Sequence, residues 1–459
     1  MNVAVAPLVP GLSSEHQALL TQLVGTIVAK QAGNQLRRSY YDAEAGLKDL
    51  GISIPPQMRS VETVVGWPAK AVDSMARRTV LDGFTSPSGD VGSLGVSQVW
   101  DENRLSSESS QAHTSALIHS TAFVAVVRGD VAAGDPEAVV STFSAESASG
   151  VWDRRRRCLS SALTIRSCDS VGVPDDMVLY VPNQAIIMKR SGAVWDVRTA
   201  NHVLGVPVEP LTYRASLDRP FGSARISKPV MALTDSAVRT LLRTEVSAEF
   251  YSAPQRYVLG ADEGAFFDAD GAPIPAWQAV LGRLFAIGRD EDGNTPTVGQ
   301  FSQQSMEPHL AQIRSLASMF AAETSLPVGS LGVVQDNPSS AEAIYAAKEE
   351  LVVEIQHWET TSLGPAWQRA MVNALLILDG SDAARDAYSG LRARWASPAT
   401  PSVVSAADAM VKQVAAIPEL AKTDVALERL GYTADEIVRL RSEWRRNEGA
   451  STIDALIGA

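Results

Sequence analysis

The residues of this 459-residue chain that could do chemistry occur in spacings that suit no common reaction. Nucleotide hydrolysis or dinucleotide binding needs a glycine-rich cradle, yet neither Gly-x-x-x-x-Gly-Lys-Ser/Thr nor Gly-x-Gly-x-x-Gly occurs. The serine elbow Gly-x-Ser-x-Gly and the zinc motif His-Glu-x-x-His are missing too. His113 and His119 fall about 240° apart around a helix. They would not share a metal, and they read as ordinary surface or half-buried side chains. Nine residues lie between Cys158 and Cys168 with no third ligand nearby, a poor zinc spacing. Asp268-Ala-Asp-Gly271 and Asp290-Glu-Asp-Gly293 open like calcium loops. Their twelfth positions are Ala279 and Phe301 rather than the closing Glu, so both read as plain turns. Arg154 to Arg157, the densest basic run, reads as a solvated hairpin rim. No catalytic residue, cofactor or metal is predicted, and the balance moves to a structural or binding protein. A site assembled from residues far apart in sequence stays open.

Composition narrows the classes further. Hydrophobic residues at 45% and charged ones at 20% are enough for a sizeable core, and the length predicts about three domains. A net charge of −12 disfavours a broad, tight grip on nucleic acid, which works by releasing counterions from phosphates. It leaves nucleic acid open as something to be passed rather than held. Two cysteines make no disulfide framework, so a reducing, intracellular setting is expected. The first basic residue is Lys30, which leaves no charged leader, and no apolar run approaches the roughly 18 residues of a membrane span. The chain is expected to be soluble and unexported, with no membrane partner.

The most organised stretch runs from Ser305 to Leu378. Leu310, Ile313, Leu316, Ala317 and Phe320 recur at helical spacing, and a loop from Ser325 to Asp336 with two glycines and a proline then stops the helix. A second helix starts near Asn337-Pro338-Ser339-Ser340-Ala341-Glu342, capped by Asn337 or by a Ser339/Glu342 box. Ile344, Leu351, Val352, Ile355 and Trp358 form its apolar stripe, with Glu342, Glu349, Glu350 and Glu354 off it. Gly364-Pro365 kinks or restarts it, and Trp367, Ala370, Met371, Ala374, Leu375 and Leu378 resume the stripe.

Upstream, Ser13 to about Asp49 reads as a helix, and Val61–Arg78 as another, interrupted at Gly66-Trp67-Pro68. Val96–Asn103 and Ser106–Thr121 read as two more, after an exposed loop at Gly83–Gly95. Six β-rich segments follow, Ala122–Arg128, Ala138–Phe143, Cys158–Arg166, Met177–Val181, Ala185–Lys189 and Val194–Arg198. Their spacing, punctuated by turns such as Ser149-Gly150, predicts an antiparallel meander. Pro207–Ser227 reads as an extended connector into a helix from about Thr234 to Tyr251. On that helix Arg239 and Arg243 share one side, with Glu245 and Glu249 roughly opposite. Ala253–Gln304 reads as a separate small unit with strands at Gln255–Leu259 and Leu284–Ile287, and Ser402–Ala459 as a helical tail ending in an Arg-rich helix.

The order of these segments resembles the portal proteins of tailed bacteriophages, of the type found in phage SPP1. The resemblance covers about Tyr40 to Leu378. It rests on Tyr40-Tyr41-Asp42, Trp152-Asp153 before the Arg run, Leu179-Tyr180-Val181-Pro182 and Gly205-Val206-Pro207-Val208. It continues through Gly222-Ser223-Ala224-Arg225-Ile226 leading to Asp235, Ala253-Pro254-Gln255-Arg256, and Leu326-Pro327 followed by Asn337-Pro338-Ser339-Ser340-Ala341-Glu342-Ala343-Ile344. It implies an α+β portal fold. A mixed wing domain would span 1–230, helical stem segments 231–252 and 305–324, a small α/β clip 253–304, a tunnel loop 325–338, a long kinked helix 339–395 and a helical crown 396–459. It also implies a non-enzymatic ring, dodecameric in the virion, at one capsid vertex and assembled in the host cytoplasm. Double-stranded DNA would pass through the ring during packaging and ejection. The implied partners are the major capsid protein, the terminase large subunit, a head–tail adaptor and a scaffold protein.

Laid on the residues, the resemblance makes Ser330, Gln335, Asp336 and Asn337 candidates to face DNA, and Arg239, Arg243, Glu245 and Glu249 candidates to pair across neighbouring copies. The bland alternatives are a solvated loop and an intrahelical pair such as Asp235 with Arg239. Two other functions compete: another viral connector or head-completion protein, usually much shorter, and a cytoplasmic hydrolase. A hydrolase has no reason for the order helix, small domain, helix, loop, long helix.

Overall fold

The computed structural model describes residues 2–46, 63–87, 94–252, 256–260, 293, 295–300, 305–333, 341–380, 385–399, 403–432 and 434–457. It divides into two compact units, Met1–Ala396 and Ser397–Ala459.

In the first unit, helix α1 (Ser14–Tyr41) starts where Ser13 accepts a hydrogen bond from the His16 amide, and it buries Leu20, Leu23, Val24 and Ile27. It stops short of the expected Asp49. Asp42 caps it and Ala43 turns to a positive φ of 58°. Helix α2 (Trp67–Ala76) begins with Pro68 in its first turn, where a missing N–H costs nothing. Gly66-Trp67-Pro68 therefore starts this helix rather than interrupting one. Strand β1 (Leu81–Thr85) occupies the start of the expected Gly83–Gly95 loop, and helices α3 (Val96–Glu102) and α4 (Leu105–His119) follow.

The expected single meander resolves into two sheets. In the first, β2 (Thr121–Arg128) lies between β3 (Ala138–Ser144) and β9 (Val208–Thr212), all antiparallel. The second is a meander in chain order: β4 (Ala148–Asp153), β5 (Cys158–Cys168), β6 (Pro174–Val181), β7 (Gln184–Ser191) and β8 (Val194–Asn201). Two strands differ from expectation. Ser149-Gly150 lies inside β4 because a Cβ on Gly150 would sit 2.9 Å from Leu159, so the glycine fits a close strand contact rather than a turn. The connector contains β9, whose five residues are all buried. Strand β2 reads as a continuous apolar run because its alternate residues serve different cores. Ala122, Val124 and Val126 join one, Phe123 and Ala125 another.

The long helix is α7 (Ala341–Trp358), a π-helical turn (Glu359–Leu363) and α8 (Gly364–Asp379). Gly364 makes the π turn possible, since a Cβ there would lie 2.8 Å from the Glu359 carbonyl oxygen, and Pro365 brings no N–H to the ladder. Trp367, Ala370, Met371, Ala374 and Leu375 are buried as the stripe predicts, and α8 packs on the three-stranded sheet. A short helix, α9 (Arg385–Tyr388), leads to β12 (Arg392–Trp395), which pairs with β1.

The second unit holds α10 (Val403–Ala416), α11 (Asp424–Leu430) and α12 (Ala434–Ile457). Arg441 fastens α12 to α11 through Asp424 at 2.8 Å and the Lys422 carbonyl at 2.6 Å. No helix among the described residues is long and apolar enough to cross a membrane.

Candidate functional site: a helix pair and the buried arginine at its base

Helices α5 (Lys228–Ser252) and α6 (Glu307–Glu323) form an antiparallel pair. Ser227, just before α5, donates to Glu323 at the end of α6 at 3.2 Å, and Ser247 meets His309 at 3.4 Å near the opposite ends. The shared seam is narrow: Ala237, Leu242, Val246, Leu316, Ala317 and Phe320 are buried, while Leu310 and Met319 remain 44% and 48% exposed. Between the helices, β10 (Arg256–Leu259) pairs antiparallel with β11 (Thr297–Gln300), which bears out the strand expected at Gln255–Leu259. The strand expected at Leu284–Ile287 and the Asp268 turn lie outside the described residues.

The charges on α5 do not pair as the intrahelical alternative expected. Asp235 accepts from the Tyr40 hydroxyl at 2.7 Å, and Arg239 donates to Ser236 at 3.1 Å, so the intrahelical Asp235–Arg239 pair does not form. Burial and the bond to Asp235 push the Tyr40 hydroxyl up to about 12. Arg243 is half-buried, and its Nε is enclosed with no hydrogen-bond partner among the described residues. Glu245 and Glu249 are exposed.

The chain leaves α6 through Thr324 and Ser325 (φ 53°) into a short 3-10 turn, Val328–Leu331, closed by Gly332 at φ 83°. Ser330 is exposed on this turn, its amide bonded to the Pro327 carbonyl at 2.8 Å. Gln335, Asp336 and Asn337 lie outside the described residues, as do Pro338, Ser339 and Ser340 of the helix start.

Beneath this turn lies a residue that the sequence reading quoted but gave no role. The Arg225 side chain is 2% exposed and gathers four separate segments. Its Nε donates to the Ala71 carbonyl on α2 at 2.9 Å, and its Nη2 donates to the Thr324 carbonyl at 2.5 Å. Nη1 donates to the Tyr213 hydroxyl at 2.7 Å and to Glu354 Oε2 on α7 at 3.1 Å. Tyr213 in turn donates to Glu354 Oε1 at 2.5 Å, and Arg214 bridges the same oxygen at 2.9 Å. Burial alone would push the Glu354 carboxyl up, but Arg225 and the Tyr213 bond hold it below the usual carboxylate value. Glu354 is therefore drawn inward rather than left on the solvent side of its helix. The available signal was an arginine set between Ala224 and Ile226 in an apolar context. Gly222 completes the approach: at φ +69° it comes so close to Tyr213 that a Cβ would overlap that residue's carbonyl oxygen at 2.0 Å.

The histidines differ from expectation, since both are buried. His113 accepts from Trp367 Nε1 at Nε2 (2.9 Å), which places its own proton on Nδ1, 3.1 Å from the Thr79 carbonyl. Trp358 and Trp395 complete the aromatic shell. Burial lowers its pKa to about 4. Glu359, on the π turn, is also buried, its Oε1 has no partner among the described residues, and burial raises it to about 8.

These shifts fix a pH profile. His113 binds its proton less tightly when folded, so its contribution is full above about 6.5 and is lost as pH falls towards 4. Glu359 binds its proton more tightly when folded, so its contribution is full below the ordinary 4.5 and is lost as pH rises to about 8. Glu359→Gln, which cannot ionise, is expected to melt within a degree or so of wild type near pH 5 and several degrees higher near pH 8.5, measured by calorimetry at both pH values. Equal melting differences at the two pH values would show that Glu359 does not titrate with folding.

The Arg154–Arg157 run forms the exposed β4–β5 turn, with Asp153 Oδ1 accepting from the amides of Arg155 and Arg156 at 2.8 and 3.0 Å. This matches the expected solvated rim.

Comparison with known proteins places this arrangement. The family model described as phage portal protein, SPP1 Gp6-like, matches residues 32–447. The portal protein of Mycobacterium phage D29 is 28% identical over 426 residues, covering 91% of this chain and 86% of that protein. The portal protein of Mycobacterium phage L5 is 28% identical over 424 residues, with the same coverage of both. Among solved structures, a chain from the neck of a native GTA particle, computed with C12 symmetry, aligns at a TM-score of 0.40 and 13% identity over 80% of this chain and 89% of its own. A family model that spans residues 32–447 takes in both sheets, the helix pair, the Arg225 junction and the long helix, and on that match the chain belongs to the phage portal proteins of the SPP1 Gp6-like family.

Proposed function

We propose that the protein assembles into a ring, dodecameric in the virion, at one capsid vertex. Double-stranded DNA moves through its channel during packaging and ejection, and its outer surfaces receive the terminase, the head–tail adaptor and the major capsid protein. The observation that carries this reading is the family match over residues 32–447. The helix pair supports it, since α5 and α6 share a narrow seam and leave Leu310 and Met319 exposed for a neighbouring copy. In this reading α5 and α6 are the stem, 253–304 the clip, the Ser325–Gly332 turn the start of the tunnel loop, α7–α8 the long wing helix, and the second unit the crown. Ser330 then faces the channel, and Arg239 and Arg243 meet Glu245 and Glu249 of the next copy.

An acidic ring suits a conduit. With a net charge of −12 per copy it presents few cations to phosphate, so DNA slides without being held at each step. Hydrolysis of ATP is assigned to the terminase. Sedimentation velocity of the full-length protein is expected to give a species many times the 48.9 kDa of one chain, and a single boundary at the chain mass under all salt conditions would remove this reading.

A further inference from the structure

A cavity of about 550 Å³ is walled by α1, the α4–β2 junction, β4 and the connector before α5. Three of its lining residues, Lys30, Arg37 and Arg219, are cationic, and none forms an ion pair among the described residues. Arg37 is half-buried and, among the described residues, donates only to a neutral amide, Asn34 Oδ1, at 3.2 Å. A guanidinium taken from water and offered no anion is costly, and burial already holds its pKa below the ordinary value. Asp218 is the one carboxylate on the described wall.

His119 supplies an independent sign of a ligand. It is 3% exposed, and its Nε2 lies 3.7 Å from Glu146 Oε2, a residue lining a separate cleft. Its Nδ1 is enclosed and has no partner among the described residues. Buried ring nitrogens are normally satisfied, and His119 lines the cationic cavity, so a turn of its ring towards that cavity would give the enclosed Nδ1 the partner it lacks.

We propose that this cavity binds a small oxyanion of the phosphate class, free phosphate or a phosphate monoester, held by Arg37, Lys30 and Arg219, with the His119 ring turning so that its enclosed Nδ1 donates a hydrogen bond. The cavity could take a phosphate ester but not a duplex, which separates the site from the DNA channel. Binding carries a proton with it. The charged side chains acting on His119 are Arg38, Arg37 and Asp42 from α1 and its end and Glu146 from the β3–β4 turn, while Asp218 and Arg219 of the connector line the same cavity. Burial and the two α1 guanidiniums keep the imidazole neutral in the empty cavity. An anion beside Arg37 offsets that repulsion, so His119 takes up a proton, Nδ1–H pointing to the anion and Nε2–H to Glu146.

Calorimetric titration of the full-length protein at pH 7 and constant ionic strength, with inorganic phosphate in one arm and adenosine monophosphate in the other, tests this. One site per chain is expected, with a heat that depends on the ionisation enthalpy of the buffer, as proton uptake requires. The tighter arm identifies the source. Arg37→Gln is expected to weaken binding about tenfold or more, and the exposed Lys30→Gln by about threefold to tenfold, as befits lost charge-assisted bonds. His119→Asn should keep binding within a few-fold and cut the buffer dependence to the part set by the phosphate's own ionisation near pH 7. No saturable heat in either arm, or full-strength binding in both cation variants with unchanged melting, overturns the proposal.

Discussion

Replacing Arg225 with methionine is expected to destabilise the first unit by about 3–5 kcal/mol, the usual cost of removing one partner from a buried ion pair. The substitution keeps an unbranched, flexible apolar stem while deleting every donor. The carbonyls of Ala71 and Thr324 then lose their Arg225 bonds inside the core, and Glu354 keeps the Tyr213 hydroxyl but only the more exposed Arg214 as an ion-pair partner. Each stranded acceptor adds about 1–3 kcal/mol. Arg225→Lys should recover little, because one ammonium cannot reach both carbonyls and the carboxylate. Urea denaturation followed by tryptophan fluorescence, at matched protein concentration, measures the effect. A shift below about 0.5 kcal/mol for the methionine variant would mean that the junction does not hold the unit together. Because the Thr324 carbonyl is one of the four acceptors, the loop following α6 should also be the first segment to gain protease sensitivity.

The second large effect is expected at Arg243. If its guanidinium is completed by a carboxylate of the next copy, Arg243→Glu sets two acids against each other at every interface of a closed ring. One such contact is worth about 2 kcal/mol or more, and the ring repeats it at each joint, so assembly should fail outright rather than weaken slightly. Adding Glu245→Arg restores the opposite charges and should return part of the ring population. Wild-type rings should loosen as salt rises, since half-exposed pairs are screened. Rings of Arg243→Glu that stay intact and salt-resistant in sedimentation would rule out the intersubunit role.

Where the sequence was legible, the reason lies in periodicity. The stripes from Leu316 to Phe320 and from Trp367 to Leu375 are buried as their spacing predicts, and the six apolar segments between Ala122 and Arg198 are strands. The misreadings have local causes. A proline opened α2 where a break was expected, a glycine inside β4 served a close contact with Leu159, and β9 hid in a Pro-bearing stretch because it is one edge of its sheet. The site was less legible than the fold. Arg225 and Glu354 are 129 residues apart, and no local pattern announces a contact at that range. His113 looked like a surface residue because nothing in its own helix reveals the three tryptophans, Trp358, Trp367 and Trp395, that surround it. The family resemblance linked the segments in order, but it could not say which side chains hold the base of the helix pair.

Electron microscopy of the purified full-length protein, with Ser330→Cys carrying a gold label, tests the central claim most directly. The predicted result is rings with a central hole and label density at the rim of that hole. Compact monomers, or rings labelled at their outer edge, would contradict it.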